Sequence, residues 1–329
     1  MTDQTNAVDD SWPIIEEAVT RLFEDIATRG EHTEIGPRLD ELGWADISSE
    51  YPIPAGKLLF SAQGRTLAVT DCLYSVMLAE LAPVLDGPVN GIVLPEPAEG
   101  CTPRSDESRV SGLILGLPTG RLAVPVSGAL GAVSIGVINA DRLEAQRIDT
   151  FDPSVVWTRV SGPLDVPLIE ASTQWSHAVG AAHRALSTEL LALAGSALRI
   201  AIEQVTARKQ FGTAIGALQS PRHGLAAASA TLAGAQALLD ESWRYGGRLS
   251  GLSAKAAAGR AHRAAADITL QVCGAIGLTA EHALHRYVAR GFQIDALCGS
   301  YDILESQLAD YLFDTHTADP ALPSAIAWT

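Results

Sequence analysis

The chain has 329 residues, of which 47% are hydrophobic and only 5% aromatic. This composition excludes a disordered protein, and the length predicts two or three subdomains around a large core. Its 38 acidic residues outnumber 23 basic ones, for a formal net charge of -15. That charge argues against nucleic acid or an anionic membrane surface as a partner. We also expect no membrane span, because no uncharged apolar run reaches the required length.

The cysteines indicate a reducing compartment. There are four of them, Cys72, Cys101, Cys273 and Cys298. They show neither the C-x-x-C spacing of metal sites nor the density of a disulfide framework, so we expect free thiols and no metal site. The first ten residues are polar and acidic and do not resemble a signal peptide. Together these features predict a cytoplasmic protein.

Residues 1–88 are predicted to form an N-terminal helical domain. Apolar residues at helical spacing predict a helix over residues 9–29, which Gly30 should end. A short helix is expected over residues 37–43 and a longer, deeply buried one over residues 65–85.

The spacing of apolar residues along the sequence changes over residues 89–170, where we predict a small β-domain. Four short segments are β-branched and separated by turn residues, at 112–115, 122–126, 132–138 and 155–160. A helical pattern resumes over residues 171–329 and predicts a bundle, with core helices at 188–205, 225–249 and 254–273. Alanine-rich faces on these helices would permit close helix contacts or a subunit interface.

One stretch in the C-terminal half carries the clearest chemistry. Arg208 and Phe211 are three positions apart and would share one face of a helix that ends at Gly212. Gln219 and His223 would share a face of the next helix. An arginine that grips a diphosphate beside an aromatic ring and bare backbone is typical of a nucleotide-phosphate site. Taken alone, the same residues also fit a basic helix end with a glycine cap.

Two blocks of residues in order resemble the C-terminal domain of the acyl-CoA dehydrogenase family. The first block comprises Ala197, Leu198, Arg208, Phe211, Gly212, Ile215, Gln219 and His223. The second comprises Gln271, Gly274, Ala275, Gly277, Thr279, Glu281, His282 and Arg286. The resemblance implies a mainly α fold with an N-terminal helical domain, a shortened middle β-domain and a C-terminal four-helix bundle.

The resemblance also implies a chemistry. In the family, a carboxylate removes the α-proton of an acyl-CoA thioester while FAD accepts the β-hydride. Elements of the C-terminal domain reach across a subunit interface to hold the ADP half of the neighbouring subunit's FAD. The residues that match those elements are Arg208, Phe211, Gly212, Gln219, Gln271, Gly274 and Gly277.

The catalytic base of the family has no counterpart in this sequence. Cys298 occupies the usual position of the glutamate, and a thiol with an ordinary pKa near ~8.5 is mostly protonated at neutral pH. A small buried hydrophobe is the simpler interpretation. The alternative position on an earlier helix falls near Ala182, again without a carboxylate. Glu189, Asp302 and Glu305 are the nearest substitutes, and each is explained more simply as a structural or solvated charge.

The flavin-facing loop is also altered. Residues 94–100 resemble the family's Thr-Glu-Pro-Gly-Ala-Gly loop, but only Glu96, Pro97 and Gly100 match. Pro95 replaces the threonine, and the small flexible positions hold Ala98 and Glu99. A plain acidic turn explains the loop equally simply.

The retained ADP-binding residues and the missing base predict a subunit that completes a partner's FAD site. It is similar to the short partner chains of heteromeric (α2β2) acyl-CoA dehydrogenases of actinobacterial steroid side-chain degradation. The partner would be a full-length subunit that supplies the base and binds most of the acyl-CoA. Two alternatives remain: a homo-oligomeric dehydrogenase with a displaced base, and a non-enzymatic scaffold that uses the fold without flavin.

Overall fold

The computed structural model describes residues 8–30, 32–97, 101–210, 212–279 and 281–313. The N-terminal helices are α1 (Trp12–Arg29), α2 (Gly36–Asp40), α3 (Trp44–Glu50), α4 (Pro52–Thr66) and α5 (Cys72–Leu81). The strands that follow are β1 (Gly91–Ile92), β2 (Arg109–Leu115), β3 (Arg121–Ser127), β4 (Val133–Asn139), β5 (Glu144–Ile148), β6 (Trp157–Pro163) and β7 (Ile169–Glu170). The C-terminal elements are α6 (Ser172–Ala207), β8 (Lys209–Gln210), β9 (Thr213–Ala214), α7 (Gln219–Tyr245), α8 (Arg248–Cys273), α9 (Leu284–Asp295) and α10 (Tyr301–Phe313). The mainly α fold with a small β-region is confirmed.

The N-terminal helices agree with the sequence at α1 and differ after it. Helix α1 ends at Gly30, whose φ of 69° is the left-handed cap that glycine favours. The single helix predicted over residues 65–85 is wrong, because α4 ends at Thr66 and α5 begins at Cys72. Between them the carboxylate of Asp71 accepts a hydrogen bond of 2.8 Å from the Ile35 amide. This long-range contact holds the connecting segment in a turn that helical periodicity alone does not reveal.

The β-region consists of two small sheets. One has the order β1-β3-β4-β7, with β1 and β3 parallel, and the other has the antiparallel order β2-β6-β5. The four predicted segments correspond to β2, β3, β4 and β6. Strand β5 escaped prediction because it is exposed over nearly its whole length and shows no apolar alternation. Strands β1 and β7 have only two residues each.

Helix α6 is the central helix of the fold. It has 36 residues and packs against α4, α5, α7, α8 and α9. Its length and composition would suffice to cross a membrane, but 72% of its most apolar window is buried inside the fold, as in the core helix of a soluble protein. Alanines of α6 and α8 lie together in the main core, so the predicted close helix contact is present.

A buried charge network joins the three parts of the chain. Arg290 on α9 donates to Asp152 of the β-region at 2.7 Å and to the Ala68 carbonyl at 3.0 Å. Its guanidinium also lies 4.0 Å from Glu189 on α6, which accepts a hydrogen bond of 2.8 Å from Gln63 on α4. The network fixes how the bundle, the β-region and the N-terminal helices meet.

Candidate cofactor clamp and base position

The two blocks of matching residues meet at one end of the bundle. The start of α7 packs on the end of α8 so closely that Gly224 leaves no room for a Cβ beside Ile268. One core cluster contains Val205, Leu225 and Cys273 from the neighbouring helix ends. The segments that carry the predicted cofactor residues therefore lie side by side, although they are far apart in the sequence.

Arg208 presents an unpaired side chain at this end. Its backbone is held on both sides: its amide donates to Gln204 at 2.9 Å, and its carbonyl accepts from Ile215 at 2.9 Å. The side chain is exposed and makes no hydrogen bond or ion pair within the described part of the chain. A fixed backbone with an available guanidinium suits an arginine that binds a ligand.

The predicted local structure around Arg208 is wrong. Arg208 follows α6 in an extended conformation (φ -77°, ψ 122°) and leads into the hairpin of β8 and β9. Gly212 has a φ of 79°, which the turn requires and which glycine adopts without strain. Arg208 therefore lies outside the helix that was predicted to carry it, and Phe211 itself lies outside the described residues.

The N-terminus of α7 adds a second feature suited to an anion. The helix has 27 residues and begins at Gln219 without a side-chain cap. Uncapped first-turn amides and the positive end of the helix dipole favour a negatively charged group. Gln219 and His223 are exposed on this helix. The donors present here, a guanidinium fork and free amides, fit the diphosphate of FAD.

The second block supplies open backbone beside this position. Gln271 is exposed in the last turn of α8, and Gly274 ends that helix with a φ of 68° and free space around its Cα. Gly277 differs, since a Cβ there would press on Cys273 and Leu284. Close packing therefore explains why position 277 is a glycine. Cofactor contacts of Gln271 and Gly274 stay predictions.

The position at which the family carries its catalytic base is buried in this structure and holds Cys298. Cys298 is buried, and its backbone has a φ of 53°, a left-handed conformation that is unusual for a residue other than glycine. Its carbonyl accepts hydrogen bonds from His183 Nε2 and from Cys101 Sγ, both at 2.9 Å. Cys101 Sγ also lies 3.4 Å from His183 Nε2. The loop that carries the base in the family thus has its backbone bound to the flavin-facing region and to α6.

Burial makes these groups poor acids and bases. It raises the pKa of the Cys298 thiol to about 11, although Lys255 opposes the shift. It raises the pKa of Cys101 as well. It lowers the pKa of His183 to about 4, because the charged imidazolium would lose its solvation. At neutral pH the cluster is therefore uncharged and holds no proton acceptor matched to an α-proton.

The three proposed substitutes for the base are engaged elsewhere. Glu189 is buried, so the interpretation as a solvated charge is wrong; burial raises its pKa, and Arg290 opposes that shift. Asp302 accepts a hydrogen bond of 2.5 Å from Ser300 at the start of α10. Glu305 accepts one of 2.5 Å from Arg260 Nε.

A large cleft opens next to this cluster. It has a volume of about 910 Å³ and lies between the segment after the flavin-facing loop, the β3–β4 connection and helices α6, α8 and α10. Cys101, Trp175, Arg248 and Asp310 are among its lining residues. Sequence reasoning missed Trp175, Arg248 and Asp310, because no motif marks them.

The flavin-facing loop is described only in part. Glu96 accepts a hydrogen bond of 2.9 Å from Arg159 on β6 and lies 3.7 Å from Arg104, so this acid is paired within the β-region. Ala98, Glu99 and Gly100 lie outside the described residues. Whether the loop can face a flavin ring stays a prediction.

Comparison with known proteins finds one family that the C-terminal part of the chain resembles. Residues 181–312 match the acyl-CoA dehydrogenase C-terminal domain. The curated protein "Acyl-CoA dehydrogenase IpdE2" of Mycobacterium tuberculosis is 26% identical over 245 residues, which are 70% of this chain and 73% of that protein.

Solved structures share the fold over nearly the whole chain. The ChsE4-ChsE5 complex from Mycobacterium tuberculosis matches with a TM-score of 0.77 at 16% identity, covering 96% of this chain and 99% of that one. The Tcur3481-Tcur3483 steroid ACAD matches with a TM-score of 0.74 at 21% identity, covering 92% and 97%. A glutaryl-coenzyme A dehydrogenase matches with a TM-score of 0.74 at 15% identity, covering 95% and 97%. The resemblance seen in the sequence is confirmed: residues 181–312 match the acyl-CoA dehydrogenase C-terminal domain, and the chain shares the fold of solved acyl-CoA dehydrogenases.

Proposed function

We propose that this chain is a subunit of a heteromeric, FAD-dependent acyl-CoA dehydrogenase and that it completes the FAD site of a full-length partner. The observation that carries the proposal is the contrast between an unpaired Arg208 at an exposed bundle end and a closed base position at Cys298. The first can serve a ligand held by another subunit, whereas the second cannot remove an α-proton. The assembly would be an α2β2 heterotetramer in the cytoplasm.

Each residue of the bundle end has a distinct part in this proposal. Arg208 and the first amides of α7 at Gln219 would hold the diphosphate. Gly212 and Gly274 would let the cofactor approach the backbone, and Gln271 and Phe211 would contact the ADP half. When bound, FAD supplies the hydride acceptor for desaturation of the acyl-CoA thioester.

The similar structures support a shared site. Two of them are a ChsE4-ChsE5 complex and a Tcur3481-Tcur3483 steroid ACAD variant, each named after two components. By analogy, the substrate would be a steroid side-chain CoA ester, bound mainly by the partner. The exposed apolar residues near the bundle end, Ile202, Ile276 and Leu278, suit burial against a second subunit.

The test is expression of this chain alone and together with a full-length acyl-CoA dehydrogenase encoded next to it. We expect the chain alone to be colourless and inactive, and the co-purified complex to show flavin absorbance and desaturase activity. A yellow, active protein from the chain alone would overturn the proposal. A colourless chain that captures no dehydrogenase would instead favour the scaffold.

The cleft beside Cys101 favours a second candidate, a homo-oligomeric dehydrogenase with a displaced base. Its volume of about 910 Å³ would accommodate a flavin ring and an acyl thioester, and the carboxylate of Asp310 lines it. Under this alternative, Asp310→Asn would abolish activity of the chain alone, whereas under the heteromeric proposal it would leave the activity of the complex unchanged.

A further inference from the structure

A groove between α4, α6 and α7 carries a concentration of positive charge that the proposed function does not use. Its volume is about 370 Å³. Lys57, Ser61 and Arg65 line it from α4, where their spacing of four places them on one face. Ser196 and Arg199 line it from α6. The FAD-binding end described above involves neither α4 nor these residues.

The positive charges of the groove are incompletely neutralised. Lys57 pairs with Asp240 at 2.9 Å, but Arg199 only approaches Glu203 at 3.9 Å. Arg65 donates from its Nε to the Ser61 carbonyl at 3.2 Å and from Nη2 to the Ser61 hydroxyl at 3.1 Å. No described carboxylate lies within ion-pair distance of Arg65 or lines the groove. Two guanidinium groups therefore share a concave site in which Arg65 has no paired carboxylate and Arg199 has only the long contact to Glu203, in a protein whose net charge is -15.

The hydroxyl of Ser196 is a second, independent indication. The residue is only 4% exposed, lines the groove, and makes no side-chain hydrogen bond to any described residue. A buried helical hydroxyl usually donates to the carbonyl four residues earlier, as Thr188 does to Arg184 at 2.8 Å. The Ser196 hydroxyl is not one of the fully buried unpaired atoms, so it is reached from the groove and is available to a group that enters there.

We propose that this groove binds the phosphate group of a small phosphate monoester. A phosphate offers three acceptor oxygens and nearly two negative charges, which matches two guanidinium groups, an ammonium and a hydroxyl better than a carboxylate does. Leu191 and Leu239 supply an apolar wall for the organic part of the ligand. The volume suits a compact metabolite. The site does not depend on the proposed dehydrogenase function.

The test is calorimetric titration of the full-length chain, or of its complex with the partner, with inorganic phosphate and with acetate at constant ionic strength. We expect saturable phosphate binding that is tighter than acetate binding. Arg199→Gln should weaken it about tenfold, as expected for one charge-assisted hydrogen bond. Ser196→Ala should weaken it about threefold, since a neutral hydrogen bond contributes less.

The matched control is Arg21→Gln. Arg21 is also an exposed helical arginine paired with a glutamate four positions away, but it lies on α1, outside the groove. Phosphate affinity of this variant should stay within twofold of wild type. Absence of saturable binding, equal loss in all three variants, or acetate binding as tight as phosphate binding would overturn the proposal. Failure of the complex to bind phosphate would overturn it too.

Discussion

The interior and the exposed end of the bundle use charged and polar groups in opposite ways. In the interior, Arg290, Asp152 and Glu189 lie within one buried network, and Lys255 donates to the Asp295 side chain at 3.0 Å. At the exposed end, the side chain of Arg208 has no partner among the described residues.

The difference supports the location proposed above for the ligand site. A buried charge that lost its partner would destabilise the fold, so the interior charged groups stay paired with one another and are not free to bind a ligand. The base position belongs to this committed interior, since Cys298, Cys101 and His183 are bound together there. An exposed arginine costs little to leave unpaired, and its guanidinium can serve another subunit.

The largest effect is expected from breaking the interior network. Arg290→Met leaves Asp152 and Glu189 without their cation, so the free energy of unfolding should fall by about 3–5 kcal/mol. Denaturant unfolding measures this loss. The control Arg21→Met removes a highly exposed arginine and should change the free energy by less than about 0.5 kcal/mol. Similar losses of unfolding free energy in both variants would contradict the difference between buried and exposed charged groups.

The pH dependence of stability should reveal the neutral buried histidines. Burial lowers the pKa of both His183 and His262 from 6.5 to about 4. Above pH 6.5 both are neutral in the folded and unfolded states. As the pH falls toward 4, the unfolded chain takes up their protons first, so each histidine removes up to about 3 kcal/mol of stability.

Replacing these histidines should flatten that dependence. Near pH 5, His183→Gln should reduce the slope of unfolding free energy against pH by about 1.4 kcal/mol per unit, and the double variant with His262→Gln by about twice that amount. Urea titrations at a series of pH values measure the slope. An unchanged slope in the double variant would show that these imidazoles protonate in the folded protein.

Arg208 tests the exposed end. In the complex, Arg208→Ala should weaken FAD retention about 10- to 100-fold, and Arg208→Lys about tenfold, because lysine keeps the charge and loses the planar fork. Flavin fluorescence after dilution measures the released cofactor, and circular dichroism checks the helices. Arg263→Ala, which removes an exposed bundle arginine paired with Asp267, should retain FAD normally. Equal retention in all variants would make Arg208 an ordinary helix-end charge.

The smallest effect is expected at Cys298. Because its thiol pKa is raised to about 11 and it cannot act as the base, Cys298→Ala should leave turnover of the complex within a few-fold of wild type. Steady-state kinetics of the complex measure it. A loss of about 10³ or more, the size expected for a true catalytic group, would restore Cys298 to the chemistry.

Sequence reasoning recovered what depends on local pattern. It predicted the end of α1 at Gly30, four of the strands and a helix that carries both Gln219 and His223. It failed where contacts between residues far apart in the sequence determine the local structure or the burial of a side chain. Asp71 breaks the helical run through its contact with Ile35, and Glu189 is buried because Gln63 and Arg290 meet it there.

The same limit applies to the candidate site. The order of Arg208, Gln219, Gln271 and Gly274 revealed the family resemblance. The hairpin after α6 could not be predicted, since Gly212 also suits a helix cap. The cleft was invisible because Trp175, Arg248 and Asp310 come from separate elements. The groove on α4, α6 and α7 likewise depends on helix packing that no sequence motif records.

The most direct measurement of the central claim is the ratio of flavin to subunits in the purified complex. Under the proposed function, this subunit contributes Arg208 to its partner's site, while its own base position holds Cys298 in place of a carboxylate, so only one of the two possible sites is complete. We therefore expect one FAD for each pair of unlike chains, two in a heterotetramer, by absorbance of released flavin against protein mass. One FAD for every chain would contradict the account.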